Sequence, residues 1–443
     1  MKMYKYSVSI SLSILVCACG DPAAQQADTV DAGVEDGGFV NDDAGQADTS
    51  APDTTDEPMC PDFEGERPEA RSEMMGIFDT ARQRLVFFGG DDGEPVQCSS
   101  SPHPIGELWV YDGQCAVFNR EPIENGPGGR ARGVAVHDTT EDRMLVFGGR
   151  FRTASSGPYE LYNEVWALDL ADLSWELLTT PGGPSARVNT AAAYNAERHE
   201  MVVFGGNSSN NGASFIPHND TWILDLETET WRELSTSPDK PSKRLFHAAA
   251  MNTEENLLFV YAGGDEQAFF GPFFGDLWQL NVTSGVWTEL HPGGIGAPLN
   301  RIWATIAYDK TSNDIVLFGG HDDGAVGNQN DTWRFDLDSG QWVEIIGAET
   351  VNTPANGFCD FPPDFTIPNL DAPDRRSSHL AVLDDVRGEL LIFAGKTDCG
   401  IIDDVWTFDL ARDSWLNLKE ATRGESCLRG ENPDLCVAMC NAQ

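Results

Sequence analysis

Positively charged residues are scarce in this sequence. It contains 29 lysines and arginines against 71 aspartates and glutamates, which gives a formal net charge of −42. Proteins that bind nucleic acid or adsorb to anionic lipid do so through basic patches, so we expect neither kind of partner. Long apolar runs are also missing. Beyond the N-terminus no stretch approaches 18 apolar residues, and the sequence predicts no membrane-spanning helix there.

The N-terminus has the organisation of an export signal. Two lysines precede an apolar-to-small segment, residues 6–18, and Val16-Cys17-Ala18-Cys19 follows the aliphatic, any, small, Cys order. This order resembles the lipobox of bacterial lipoproteins, in which the final cysteine carries the lipid. We therefore predict a signal peptide over residues 1–18 and lipidation of Cys19. The protein would be held in the bacterial cell envelope by its lipid alone, at the outer membrane or cell surface in preference to the inner membrane. An ordinary secretory signal is the alternative.

Residues 19–59 are predicted to form an acidic tether. Residues 20–58 contain eleven carboxylates, no lysine or arginine, and almost no large apolar side chains. Such a segment cannot bury enough apolar surface to offset the entropy of ordering it, so we predict disorder. Repulsion between like charges would extend it. A binding site for cations or for a basic partner is the alternative interpretation.

Eight cysteines lie beyond the signal and the lipidated residue. An even number in an exported chain predicts disulfides, and no paired Cys-x-x-Cys units indicate a zinc site. We favour two local pairs, Cys98 with Cys115 and Cys359 with Cys399. The remaining four flank the repeat region, where they could close the C-terminal tail on itself or tie it to the N-terminal edge: Cys60, Cys427, Cys436 and Cys440.

A pattern of about 50 residues recurs six times. Each unit opens with an arginine and continues into a short aliphatic run capped by glycines. A variable loop, an Asn/Asp-x-x-Trp-x-x-Asp segment and a closing aromatic residue follow. The capped runs are LVFFGG (85–90), LVFGG (145–149), VVFGG (202–206), FVYAGG (259–264), IVLFGG (315–320) and LIFAGK (391–396). The units are residues 71–118, 132–178, 187–234, 244–290, 301–346 and 376–418. In this alignment the last unit has Lys396 in place of its second glycine.

These repeats resemble those of kelch proteins, in which one repeat forms one four-stranded propeller blade. The resemblance implies an all-β fold: a six-bladed β-propeller with four antiparallel strands per blade, over residues 60–426, followed by a cysteine-rich tail, 427–443. Of the 12 tryptophans, 11 occupy two repeated positions, so we interpret them as packing between blades. Trp303 alone lies outside the pattern.

Strand direction predicts where a ligand would bind. In an antiparallel blade the loops after the glycine pairs leave on the same face as the opening arginines, and these loops vary in length and chemistry. An insertion, residues 351–374, enters the same face. We call this face the loop face.

Three groups on the loop face are candidates for ligand contact. The opening arginines, Arg71, Arg132, Arg187, Arg244, Arg301 and Arg376 or Arg375, could grip an anionic ligand or could each pair with a neighbouring acidic residue. Five aromatic residues that occur once could stack on a ligand or could pack within their own loop: Trp303, Phe269, Phe270, Phe273 and Phe274. His321 opens a His-Asp-Asp-Gly segment that could bind Ca²⁺ or form a simple turn.

The predicted function is binding. We expect a lipoprotein that recognises a protein or a glycan through the loop face and needs no cofactor. The alternative is an extracytoplasmic enzyme of the kelch superfamily, carbohydrate-active or oxidoreductase-like. The eight histidines are scattered, no Tyr–Cys–His grouping suits copper, and no Gly-x-Ser-x-Gly motif is present, so the sequence identifies no catalytic residue.

Overall fold

The computed structural model describes residue 60 and residues 65–93, 102–154, 156–212, 214–268, 270–322, 326–354, 362 and 364–424. The predicted signal, Cys19 and the tether lie outside these residues. So do five candidate cysteines and one candidate aromatic residue: Cys98, Cys359, Cys427, Cys436, Cys440 and Phe269.

Six antiparallel sheets of four main strands account for nearly all regular structure. Blades one and two contain β1 (Met75–Asp79), β2 (Arg84–Phe88), β3 (Leu108–Asp112), β4 (Val117–Glu121), β5 (Val134–Asp138), β6 (Arg143–Phe147), β9 (Val165–Asp169) and β10 (Trp175–Leu178). Blade two also carries a small ribbon of β7 (Arg150–Phe151) and β8 (Glu160–Leu161). Blades three and four contain β11 (Ala191–Asn195), β12 (Glu200–Phe204), β13 (Thr221–Asp225), β14 (Thr230–Glu233), β15 (Ala248–Asn252), β16 (Leu257–Gly263), β17 (Phe274–Asn281) and β18 (Val286–His291).

Blade five contains β19 (Arg301–Ile302), β20 (Thr305–Asp309), β21 (Asp314–Asp322), β22 (Asn328–Asp336) and β23 (Gln341–Ile346). The insertion forms a ribbon of β24 (Thr350–Val351) and β25 (Thr366–Ile367). Blade six contains β26 (Leu380–Asp384), β27 (Glu389–Thr397), β28 (Gly400–Asp409) and β29 (Ser414–Lys419). The described part of the chain contains no helix, and therefore none that could cross a membrane.

The blades close into a ring. The innermost strand of each blade contacts the innermost strands of its two neighbours, in the order β1, β5, β11, β15, β20, β26 and back to β1. In each blade the four main strands follow one another along the chain, apart from the small ribbon in blade two. Within the described residues no sheet therefore combines strands of the first and last blades, and side-chain contacts join these two blades. Lys419 Nζ, for example, donates to the Ala116 carbonyl across this seam. The predicted six-bladed propeller is confirmed.

Aromatic residues fill the spaces between blades. The closing aromatic of each blade packs on an aromatic residue in the second strand of the preceding blade, with ring centroids 4.7–5.4 Å apart. These pairs are Phe88–Trp175, Phe147–Trp231, Phe204–Trp287, Tyr261–Trp342, Phe318–Trp415 and Phe393–Phe118. Burying such rings against each other supplies much of the apolar area that holds neighbouring blades together.

The opening arginines form a second repeated contact. In blade three both terminal nitrogens of Arg187 donate to the Asp220 carboxylate, Nη1 also donates to the Gly205 carbonyl, and Trp222 Nε1 donates to the same Asp220. The equivalent arginine–acid pairs are Arg71–Glu107, Arg130–Glu164, Arg244–Asp276, Arg301–Asp331 and Arg376–Asp404. All six arginines are buried, so their guanidinium groups serve to order the blades.

One of these arginines differs from the prediction. Blade two uses Arg130, not Arg132, to bind its acidic residue, Glu164. The two arginines are separated by a single alanine, and the sequence pattern fits either of them. Similarly, Arg376 takes the repeated position in blade six, whereas Arg375 binds Glu349 and Asp398.

The glycine pairs also need a corrected alignment. The first position of each pair has φ between 59° and 72°, and the second has φ between 93° and 116°. Ala262 and Ala394 occupy the first position in blades four and six, so the pair in blade six is Ala394-Gly395 and Lys396 follows it. An alanine tolerates the left-handed region near +60° at some cost, but only glycine readily adopts φ near 100°. The second glycine is therefore present in all six blades.

The segment before blade one is fastened by a disulfide. Cys60 is bonded to Cys115, and Gly65 pairs in parallel with Phe118 in β4. The predicted Cys98–Cys115 pair is therefore wrong, because Cys115 is bonded to Cys60, five residues before the bridge from Gly65 to the outer strand of blade one. Cys399 is also disulfide-bonded. Its predicted pairing with Cys359 stays a prediction.

Candidate functional site

Six residues surround the channel at the loop face, each two positions after an opening arginine. They are Glu73, Arg132, Asn189, Phe246, Trp303 and Ser378, and we call them the inner ring. All six have φ between 53° and 63°. Five backbone bonds join neighbouring members, each running from one N–H to the carbonyl of the member in the preceding blade. This conformation is unfavourable for side chains other than those of Asn, Asp and Gly, yet five of the six members are of other types.

A second set of six residues lies beside the inner ring. Each directly follows the second glycine of a pair and forms a bridge with the residue between the opening arginine and the inner-ring member. They are Asp91, Arg150, Asn207, Gly264, His321 and Lys396, and we call them the outer ring. Because these bridges occur in all six blades, the predicted direction of the loops after the glycine pairs is correct.

The two rings separate charge from aromatic surface. Blades six, one and two contribute Lys396, Glu73, Asp91, Arg132 and Arg150, which we call the charged part. Blade three contributes only asparagines to the two rings. Blades four and five contribute Phe246 and Trp303 to the inner ring, which we call the aromatic part. The arginines, acids, glycines and tryptophans that build the blades repeat, whereas the ring positions do not.

A cavity of about 140 Å³ opens between the blades at this point. Inner-ring residues line it together with the residues that directly follow them, just before the first strands, among them Thr190, His247, Ala304 and His379. This volume is smaller than the roughly 300–1,000 Å³ of pockets that enclose a whole small molecule, and it suits one side chain or a small substituent.

Glu73 is the centre of the charged part. Arg132 donates to both of its oxygens, at 2.5 and 2.7 Å, and Lys396 donates to Oε1. Arg150 Nη2 lies 3.8 Å from Oε2. Burial by itself would raise the pKa of Glu73, but the Arg132 and Lys396 charges hold that pKa well below its ordinary value.

The second carboxylate of the charged part behaves differently. Asp91 Oδ1 accepts backbone N–H groups of Gly93 and His103. Burial, and then the neighbouring Glu73 charge, raise the pKa of Asp91. Together the five groups comprise three cations and two carboxylates, so this side of the channel mouth is positive when both acids are ionised. In a protein of net charge −42 this is an unusual local balance.

The aromatic part lies across the mouth. The Trp303 ring packs on Phe246, with centroids 4.4 Å apart, and Phe246 contacts Phe215. The Arg132 guanidinium lies 5.7 Å from both inner-ring aromatics. A ligand at the mouth would therefore meet cations and aromatic faces within one short distance.

The predicted contact residues occupy different environments. Trp303 and Arg132 belong to the inner ring and His321 to the outer ring, where His321 Nδ1 lies 3.2 Å from Asn328 Oδ1. Phe270 is 85% exposed on the loop face. Phe273 is buried, and Phe274 lies under the Arg244 guanidinium. The four predicted arginines of blades three to six are buried in the ion pairs described above: Arg187, Arg244, Arg301 and Arg376.

Two histidines line the cavity one position beyond the inner ring. His247 Nε2 donates to the Phe204 carbonyl, and His379 Nε2 lies 3.0 Å from Thr305 Oγ1. Burial, and then a nearby opening arginine, lower the pKa of each to about 3, so both are neutral at physiological pH. Within the described residues no three His, Cys, Asp or Glu side chains are grouped so as to hold a metal ion.

Sequence reasoning missed most of the two rings. Glu73, Phe246, Asn189 and Ser378 lie two residues after an opening arginine, and Arg150 directly follows a glycine pair. The signal that would have revealed them is a position at a constant offset in every repeat whose chemistry changes from repeat to repeat. That signal requires the correct register, and in blade two the sequence pattern predicted the wrong opening arginine, Arg132 instead of Arg130.

Comparison with known proteins agrees with this architecture. A family model described as the KLHDC2/KLHL20/DRC7 Kelch-repeats domain matches residues 97–302. Kelch domain-containing protein 3 of Homo sapiens is 31% identical over 183 residues, which is 40% of this chain and 44% of that protein. The match thus spans less than half the length of Kelch domain-containing protein 3. Kelch domain-containing protein 2 of Bos taurus is 25% identical over 354 residues, 74% of this chain and 76% of that protein.

A solved structure shows the same fold. The structure of YjhT superimposes with a TM-score of 0.56 at 14% identity, covering 80% of this chain and 98% of that one. The chain therefore has the fold of a six-bladed β-propeller, and the family match over residues 97–302 supports the resemblance to kelch repeats that the sequence indicates.

Proposed function

We propose that this protein is a binding or scaffold protein that holds a protein or glycan partner at the channel mouth, with the inner and outer rings as the contact surface. The chain would be exported and lipid-anchored at Cys19, and the acidic tether would hold the propeller away from the membrane. The N-terminal sequence pattern supports this location.

One observation carries the proposal. Positions that build the blades repeat in chemistry, whereas the inner ring places six different residue types at one structurally equivalent position, all with positive φ. Backbone strain retained in side-chain-bearing residues is typical of functional sites. A ring that served only to close the channel could use glycine or asparagine in every blade at lower cost.

The geometry favours binding over catalysis. Both Glu73 oxygens are engaged by Arg132, and Lys396 adds a third bond, so this carboxylate is not available to accept a proton from a substrate. The cavity admits a protruding group and not a whole substrate. A macromolecule that inserts one side chain or one sugar substituent, and rests on the surrounding loops, satisfies both facts.

The test is capture of a partner by the immobilised purified protein. Detergent extracts of the envelope and a glycan array would be applied to the wild type and to Trp303→Ala. We expect the wild type to retain at least one protein or glycan, and Trp303→Ala to retain at least tenfold less, because removing an aromatic residue from the centre of a contact surface commonly costs about 2 kcal/mol or more.

Two further variants make the result interpretable. Phe270→Ala alters an exposed residue of the loop face outside the inner ring. Weaker retention of the partner by this variant would show that the contact surface extends outward from the ring. Val386→Ala alters an exposed residue in a turn on the opposite face and should bind as the wild type does. Undiminished retention by a folded Trp303→Ala, or a wild type that retains nothing, would contradict the proposal.

A further inference from the structure

Among the residues that the structure describes, no carboxylate is hydrogen-bonded to the buried guanidinium of Arg150. The residue is 7% exposed, and its Nε is buried with no hydrogen-bond partner among the residues that the structure describes. Its guanidinium carbon lies 4.0 Å from the centroid of the Tyr159 ring. A buried guanidinium normally binds a carboxylate or phosphate through two parallel hydrogen bonds, as the opening arginines of blades three to six do here.

The neighbouring carboxylate cannot fill this role. Glu73 already accepts two bonds from Arg132 and one from Lys396, and it approaches Arg150 only to 3.8 Å. Arg132 commits Nε and Nη2 to Glu73, and its Nη1 makes no hydrogen bond within the described part of the chain. Donor capacity therefore remains on Arg150 and Arg132 after Glu73 has been satisfied.

We propose that Arg150, Arg132 and Lys396 form a subsite for a tetrahedral oxyanion, the phosphate or sulfate ester of the molecule held at the channel mouth. This inference rests on the proposed function and names the chemistry of one part of its ligand. The aromatic part of the inner ring would contact the remainder.

The number of cations favours an oxyanion over a carboxylate. Three cations share the carboxylates of Glu73 and Asp91, so a positive charge remains uncompensated at the mouth even when both acids are ionised. A phosphate ester carries roughly −1.5 to −2 charge at pH 7 and has three acceptor oxygens. The donors come from two positions in blade two and one in blade six, and three oxygens pointing in different directions suit them better than the two coplanar oxygens of a carboxylate.

The surroundings hold Arg150 in a fixed orientation. Tyr159 is buried, and its N–H donates to the Asn210 carbonyl in the neighbouring blade. The Arg152 guanidinium lies 4.2 Å from the same Tyr159 ring centroid. The backbone of Arg150 exchanges two hydrogen bonds with Ala131, which directly precedes the inner-ring member Arg132. A preorganised guanidinium loses less entropy when an anion binds.

The experiment measures thermal unfolding of the full chain with inorganic phosphate, inorganic sulfate, acetate or chloride. The ionic strength is held constant, because salt screens exposed charges whichever anion is present. We expect phosphate or sulfate to raise the wild-type midpoint in a saturable way that acetate and chloride do not reproduce. A response to phosphate alone would identify a phosphate ester as the ligand group, and a response to sulfate alone a sulfate ester.

The decisive variant is Arg150→Met, which keeps an apolar side chain beside Tyr159 and removes the charge. We expect its midpoint without added anion to equal or exceed that of the wild type, since a cation adjacent to Arg132 has been removed. The concentration of anion needed for half of the midpoint shift should rise at least tenfold, as expected for loss of a charge-assisted hydrogen-bonded pair. Arg232→Gln removes an exposed arginine from β14 and should leave the anion response unchanged.

Two results would overturn the inference: equal responses of the wild type to all four anions, or an undiminished phosphate or sulfate response in Arg150→Met. Its failure is distinguishable from that of the proposed function. If anions have no specific effect but partner capture still depends on Trp303, the mouth binds its partner through the aromatic part, and only the oxyanion subsite is wrong.

Discussion

Arg301 and Asp331 form a doubly hydrogen-bonded ion pair, 2.6 and 2.8 Å long, between side chains that are 0% and 5% exposed. Asp331 also accepts Trp333 Nε1, and Arg301 donates to the Gly319 carbonyl. One carboxylate thus joins the opening arginine and the third strand of its blade. A pair between the opening arginine and an acidic residue occurs in all six blades, with two hydrogen bonds in blades three to six and one in blades one and two. This explains why a protein with few basic residues keeps an arginine at this position in each blade.

Breaking this pair should destabilise the propeller. We expect Asp331→Ala to lower the free energy of unfolding by about 3–5 kcal/mol, because it leaves the Arg301 charge buried and unpaired. Denaturant unfolding would measure the change. The exposed Lys310–Asp385 pair provides the control, and Asp385→Ala should cost less than about 1 kcal/mol. Similar small losses in both variants would contradict the structural role of the opening arginines.

The two positions of a glycine pair should respond differently to substitution. In blade six, Gly395→Ala places a methyl group within 2.9–3.1 Å of His379 and the Ser377 carbonyl at φ +116°, and we expect a loss of about 2–4 kcal/mol. Ala394→Gly relieves an alanine at φ 59° and should change stability by about 1 kcal/mol or less. Thermal unfolding of the two variants, compared with the wild type, checks both values. Equal losses would show that the corrected alignment of the pair is wrong.

The disulfide that fastens blade one gives a prediction in two parts. A non-reduced digest analysed by mass spectrometry should yield Cys60 linked to Cys115. Cys115→Ser should lower the free energy of unfolding by about 2–4 kcal/mol, since the bond closes a long loop in the unfolded chain. Cys98→Ser should leave the Cys60–Cys115 peptide in place. A peptide linking Cys98 to Cys115 would restore the pairing that the sequence favoured.

Stability at low pH should depend on Glu73. Its pKa in the folded protein lies below the ordinary value of 4.5, so the folded state binds fewer protons than the unfolded state as the pH falls through this range. The contribution of Glu73 is therefore fully present above about pH 4.5 and is lost as the pH falls toward the folded-state pKa. We expect Glu73→Gln to be less stable than the wild type at pH 7, with a difference that shrinks below pH 4.5.

The measurement is urea unfolding of both proteins at several pH values between 3 and 7. A difference that stayed constant over that range would show that Glu73 is not ionised more readily in the folded protein. Glu141→Gln is the matched control, because this glutamate is exposed at a turn of blade two and its carboxylate forms one ion pair, 3.1 Å long, with Arg143 Nη1. Its stability difference should be small at every pH.

Much of the architecture follows from local chemistry. The aliphatic runs, the glycines after them and the closing aromatics are read directly from the chain, because β-propensity and glycine conformation act over a few residues. Strand alternation then determines the side on which each loop leaves. The repeated tryptophans, Trp175 among them, were expected to pack between blades because they recur at two positions of the repeat. The structure adds their aromatic partners in the preceding blade, such as Phe88.

The site was harder to predict. Glu73, Arg132, Arg150 and Lys396 come from three blades, and Lys396 is 323 residues from Glu73 in the sequence. Their meeting depends on closure of the ring between the first and last blades, which no local pattern encodes. The sequence also did not show which phenylalanines of one loop would be buried. Phe273 is buried and Phe270 is exposed, although both lie in the same loop.

The sequence by itself determined the number of blades, their strands and the face on which the variable loops lie, because these depend on repeated short-range patterns. Only the tertiary structure decided that Arg130 is the opening arginine and Arg132 the ring residue, since the choice depends on which of them reaches Glu164. It likewise decided that Cys115 pairs with Cys60, and that Arg150 is left with a charge that Glu73 does not neutralise. The first two outcomes depend on contacts made within or beside one blade, and the third depends on how blades six, one and two pack together. None of these contacts is encoded in a local sequence pattern.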